Sequence, residues 1–91
     1  MEFDKTATRI AWRIQDSADG IAKNVSLQRD LRALPNGEVR IAGAREREAM
    51  WRRHFLAAVA DRDAWIADGG SWKDFEDALE VVRFVRFAAG L

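Results

Sequence analysis

The sequence predicts an α+β fold: a three-stranded antiparallel β-meander followed by two antiparallel α-helices, within one domain spanning residues 1–91. Three observations carry that expectation. Between Thr6 and Gln15 apolar residues alternate with polar ones, which is the period of a half-buried strand. Turn-forming clusters at Asp16–Gly20 and Pro35–Gly37 punctuate the first half, where short polar side chains and glycine favour chain reversal. After Gly43 the apolar spacing lengthens to that of a helix.

In the first expected strand, 6–15, Thr8, Ile10, Trp12 and Ile14 share one face, and Arg9, Arg13 and Gln15 share the other. The run Asp16, Ser17, Ala18, Asp19 and Gly20 then closes a hairpin. The second strand, 21–34, places Ile21, Val25, Leu27 and Leu31 on one face, although Lys23 and Arg29 interrupt it and a helix would align Leu27, Leu31 and Leu34. The flanking turns favour the strand. Asn36-Gly37 is a strong hairpin signal, and Val39 and Ile41 point inward from a third strand at 38–42. A helix over 44–61 follows, carrying Trp51, Phe55, Leu56 and Val59 on its apolar stripe, with Glu48 and Arg52 one turn apart. After a connection through Gly69 and Gly70, Ser71 caps a last helix over 72–89, and Gly90 ends it.

The 91 residues include fifteen basic and fifteen acidic side chains, nine aromatics, one histidine and no cysteine. The absence of cysteine excludes disulfides, thiolate metal sites and a cysteine nucleophile. Zero net charge disfavours an electrostatic grip on nucleic acid or anionic lipid. Eight bases and six acids in residues 1–45, against seven and nine in 46–91, make only a mild polarity. Arg29, Arg32, Arg40, Arg45 and Arg47 are the candidate basic cluster, with acids interspersed. The start has acids where a signal peptide has bases, and no apolar run nears the ~20 residues of a membrane span. The expected location is the cytoplasm.

Candidate chemistry is sparse. His54 has no designated carboxylate or nucleophile. Asp61, Asp63 and Asp68 lack the alternation and closing glutamate of a calcium loop, and Gly69-Gly70 lacks phosphate-loop spacing. The sequence therefore points to no enzyme, no cofactor and no metal.

The last helix carries more apolar surface than one neighbour can cover. Phe75, Ala78, Val82, Val85 and Ala89 follow one stripe, while Phe84 and Phe87 point to another flank, interleaved with Arg83 and Arg86. Either Trp12, Trp51 or the Trp65 loop folds over them, or they meet a partner. Aromatic and arginine residues are typical contact hot spots, so the expected interface comprises Trp65, Trp72, Arg83, Phe84, Arg86 and Phe87.

The stretches Trp51–Val59 and Asp77–Val82, with the ending Ala88-Ala89, resemble the closing segment of the glucose–fructose oxidoreductase/inositol dehydrogenase family, and Asn36–Ile41 resembles the glycine-led strand of its substrate-domain sheet. The resemblance spans 36–91. The family's nucleotide-binding glycine fingerprint and Glu-Lys-Pro segment are missing. The resemblance thus implies a detached sheet-plus-helices piece serving packing and subunit contact, without hydride transfer. The expected function is a non-catalytic protein–protein interaction or oligomerisation module, favouring a homo-oligomer. The alternative is a small adaptor, antitoxin-like subunit or inhibitor from a mobile element that binds a larger complex. Nucleic-acid binding ranks below both.

Overall fold

The computed structural model describes residues 4–91, and all of its regular structure is helical: α1 Lys5–Arg32, α2 Glu38–Ala67 and α3 Trp72–Ala88. The expected α+β class is therefore overturned, because no strand occurs among the described residues. Both supposed strands 6–15 and 21–34 lie almost wholly in α1, with the supposed turn 16–20 in mid-helix. Strand 38–42 is the first turn of α2, and the helix expected at 44–61 is longer at both ends. Only α3 keeps the expected bounds, to within one residue at its end.

The physical reason lies in which residues α1 buries. Ala7, Ile10 and Ala11 are buried, followed by Ser17, Gly20, Asn24, Gln28 and Leu31, a helical spacing written mainly in small and polar residues. Ile10 and Ile14, read as one strand face with Trp12, also stand one helical turn apart. The polar members of the stripe satisfy themselves within the helix. Ser17 Oγ donates to the Arg13 carbonyl (2.6 Å), Asn24 Nδ2 to the Gly20 carbonyl (2.7 Å) and Gln28 Nε2 to the Asn24 carbonyl (3.1 Å). Asp4 caps the start, accepting from the backbone of Thr6 and Ala7.

Pro35–Gly37 does turn the chain, but between helices, with Asn36 in the left-handed region at φ 61°. Gly69 (φ 105°) and Gly90 (φ 78°) close α2 and α3. In each case the amide two residues past the cap bonds back five positions, Gly70 to Trp65 and Leu91 to Arg86, both at 2.9 Å.

The helices run up-down-up, with α1 in the middle. Along α2 the pairing is antiparallel: Gly20 meets Trp51, and Gln28 meets Glu48. Along α3 it is parallel, from Ala7, Ile10 and Ala11 beside Phe75, Ala78 and Val82 up to Asp19 beside Arg86. α2 and α3 scarcely touch. The result is a single layer of helices measuring 53 × 28 × 14 Å, with a radius of gyration of 16.1 Å, where a compact domain of this length has about 12 Å. The accessible surface is 6504 Å², against about 5,350 Å² for a compact monomer of this mass.

The α1–α2 seam is close. A Cβ on Gly20 would lie 2.4 Å from the Trp51 ring, so Gly20→Ala forces the ring to move. Overpacking at such sites costs about 1–3 kcal/mol, more than the ~1 kcal/mol that alanine gains over glycine in a helix. Urea unfolding followed by circular dichroism is expected to show net destabilisation by Gly20→Ala. In a Trp51→Ala background the same change is expected to stabilise, because the clash is gone and the propensity gain remains.

Candidate interaction surface

The supposed interface residues of α3 do not lie on one flank. At about 100° per residue, the buried positions Phe75, Ala78, Val82 and Arg86 face α1, and this orientation turns Phe84 and Phe87 away. Phe84 is 71% and Phe87 84% exposed. Neither Trp12, Trp51 nor Trp65 covers them.

Arg86 is the surprise. Rather than framing the phenylalanines, it is 7% exposed. Its guanidinium donates through one nitrogen to Asp16 and through the other to Asp19, and lies 5.5 Å from the Trp12 ring centroid. Burial opposes its charge, but the hydrogen bond to Asp19 and the charges of both aspartates outweigh it and raise its pKa above the ordinary arginine value. Asp16 and Asp19, read as turn formers, are its counter-ions.

Arg83 stays exposed and reaches Gln15 Oε1 at 3.3 Å. Trp65 packs against the core, and a Cβ on Gly70 would lie 2.4 Å from its ring. Trp72, 49% exposed, meets Phe75 edge-on at 6.0 Å, with the Arg62 guanidinium 5.0 Å from its ring centroid. Trp65, in the last turn of α2, and Trp72 thus sit beside the start of α3, and Phe84 and Phe87 lie at its end.

The sequence reading missed a second apolar feature. Ala18 and Ile21 of α1, with Phe55, Leu56 and Arg52 of α2, line an open groove of about 430 Å³. Its signal is the spacing Ile14, Ala18, Ile21, Val25, a continuous helical stripe that was hidden once 16–20 was read as a turn. Leu56 is 66% and Val25 45% exposed. On the other face Arg13, Asp16, Ser17, Trp51 and His54 line a small polar hollow, His54 lying 5.7 Å from Trp51 between ring centroids. Asp61 accepts from Arg13 at 2.5 Å and Asp63 from Arg62 at 3.0 Å. Among the described residues no group of three or more potential metal ligands converges, and no helix is long and apolar enough to cross a membrane.

A polar network ties the seam together beside the groove. Gln28 Nε2 donates to Glu48 Oε1 (2.7 Å), Arg52 Nε to Glu48 Oε2 (2.7 Å) and Arg47 Nε to Asn24 Oδ1 (3.1 Å). The hydrogen bonds from Arg52 first, then Gln28, hold the Glu48 carboxyl below the ordinary glutamate range.

Comparison with known proteins gives no matching protein family, no matching curated protein and no matching solved structure.

Two measurements check these polar contacts. Replacing Arg86 with Met is expected to cost about 1–3 kcal/mol in urea unfolding. That is below the 3–5 kcal/mol of breaking a fully buried pair, because Asp16 and Asp19 keep 51% and 33% of their side-chain exposure. Glu48, with its folded pKa depressed, contributes stability above its unfolded pKa and loses it as pH falls through the folded one. Between pH 6 and pH 3 the wild-type Tm is therefore expected to fall more steeply than that of Glu48→Gln.

Proposed function

We propose that this protein is a non-catalytic association module that works in the cytoplasm and docks through the aromatic flank of α3, with self-association as its favoured form. The observation that carries the reading is the rotation of α3: it buries a charged Arg86 and leaves Phe84 and Phe87 in water. Burying one phenylalanine is worth roughly 1.5–3 kcal/mol, so their exposure forgoes a gain of that order twice over. Two large aromatics one helical turn apart are the anchors by which an amphipathic helix engages a groove, and buried aromatics dominate contact energies. Trp72, half exposed beside Arg62, extends the apolar surface toward the start of the helix.

The single-layer architecture supports the same reading. Domains ordinarily bury their apolar faces between two packed layers, and a lone layer leaves such faces for a partner. The resemblance of 51–59 and 77–82, with the ending Ala88-Ala89, to the closing segment of the oxidoreductase family supports the same reading, since that segment serves packing and subunit contact there.

Light scattering across a concentration series tests the proposal. The expected result is a dimer or larger species at micromolar protein. A monomer at every concentration overturns self-association. In the double variant Phe84→Ala/Phe87→Ala, the dissociation constant is expected to rise at least ~30-fold, equivalent to ~2 kcal/mol. Undiminished association would reassign the contact to another surface.

A further inference from the structure

We infer that the α1–α2 groove is the receptor for the α3 aromatic flank of a second copy, so that two chains associate by inserting Phe84 and Phe87 beside Phe55 and Leu56. The inference rests on the association reading and adds the occupant and its seat.

The groove's shape suits these anchors. A cavity of about 150 Å³ lined by apolar side chains holds one benzene, so the groove's 430 Å³ accommodates two phenyl rings and leaves room for Leu91, which lies next to Phe87. Phe84 and Phe87 stand one turn apart, as anchors do in helix-in-groove recognition, and Leu91, just past the end of the helix, is 67% exposed. A chain cannot fill its own groove. Phe75, Ala78, Val82 and Arg86 turn toward α1, so the aromatic flank of α3 faces away from the helix that lines the groove.

Charge sets the direction of docking. On α3 the anchors are preceded by Asp74, Glu76, Asp77 and Glu80, with Lys73 the sole base there. On α2, Arg45, Glu48, Arg52 and Leu56 share one face; Arg52 lines the groove and is paired with Glu48 at 2.7 Å, so the face keeps an excess of one base. Glu80 precedes Phe84 by four residues, as Arg52 precedes Leu56. A partner's α3 laid parallel to α2 therefore brings its acidic half over the arginines while its phenylalanines enter the groove.

The available surface is sufficient. The chain exposes about 1,150 Å² more than a compact monomer of its 10.3 kDa. An elongated single layer with this excess has room for the ~800 Å² that each partner buries in a standard interface.

A complementation experiment decides the matter. Leu56→Glu spoils the groove and opposes the acidic half of α3, and Phe84→Ala/Phe87→Ala removes the anchors. All three side chains are exposed, so circular dichroism is expected to show unchanged helicity. Alone, each variant is expected to scatter as a monomer at concentrations where the wild type is dimeric. Mixed in equal amounts, they are expected to form a 1:1 complex of twice the monomer mass, because one intact groove meets one intact set of anchors. Two monomers persisting in the mixture, or a dimer of Leu56→Glu alone, would overturn the groove assignment while a dimeric wild type leaves the association reading standing. A monomeric wild type overturns both.

Discussion

The architecture depends on α1 meeting both other helices along one buried stripe. Near its start Ala7, Ile10 and Ala11 pack toward α3, and further along Gly20 packs against Trp51 of α2. α1 therefore stands between α2 and α3, which meet only near the end of α2, where Arg62 reaches Trp72 and Phe75 and Trp65 packs against the core. The thin dimension of 14 Å and the shortage of contact between α2 and α3 follow directly. So does the modest core, in which Val82 is the largest side chain that is fully buried.

The two seams solve different problems. Against α2, α1 offers glycine and short polar groups, which bring the helices close enough for Trp51 to lie on the Gly20 backbone. Hydrogen bonds among Asn24, Gln28, Arg47, Glu48 and Arg52 then fix the register. No buried side-chain polar atom among the described residues lacks a partner, which is the condition under which such a network specifies one packing rather than weakening it. Against α3, α1 uses Ala7, Ile10 and Ala11 and then Asp16 and Asp19, which hold Arg86 in a planar two-point grip that a lysine cannot reproduce.

The C-terminal part of this fold was legible in the sequence because its signals are local. Ser71 accepts from the Asp74 amide, Gly90 takes a left-handed conformation, and Phe75, Ala78 and Val82 repeat at helical spacing. The first half was not legible for a reason that can be stated residue by residue. Ser17, Gly20, Asn24 and Gln28 are buried but carry no apolar signal, so a search for hydrophobic period sees only the accidental alternation of Ile10, Trp12 and Ile14. Asp16 and Asp19 have turn chemistry in isolation; their partner Arg86 is some seventy residues away. Of the expected interface, Phe84 and Phe87 stand exposed because an apolar excess on one helix is visible without tertiary information. The burial of Arg86 and the groove at Phe55 and Leu56 required knowing that α1 is one unbroken helix.

That continuity also explains why α3 cannot hide its phenylalanines by turning. Phe75, Ala78 and Val82 already occupy the only seam open to α3. A rotation large enough to bring Phe84 against α1 would expose those three and pull Arg86 away from Asp16 and Asp19. The helix has two apolar faces and one neighbour along its length, since α2 reaches it only at its start, through Trp65 and Arg62. Lengthening α3 would not help, since it would only extend alongside the polar half of α1, where Ala22, Ser26 and Arg29 face solvent. A second face on α3 therefore has no solution within one copy of the chain, and the apolar groove between α1 and α2 has none either. The two deficits are complementary in shape and charge, so a reciprocal pair of contacts between two copies relieves both in each.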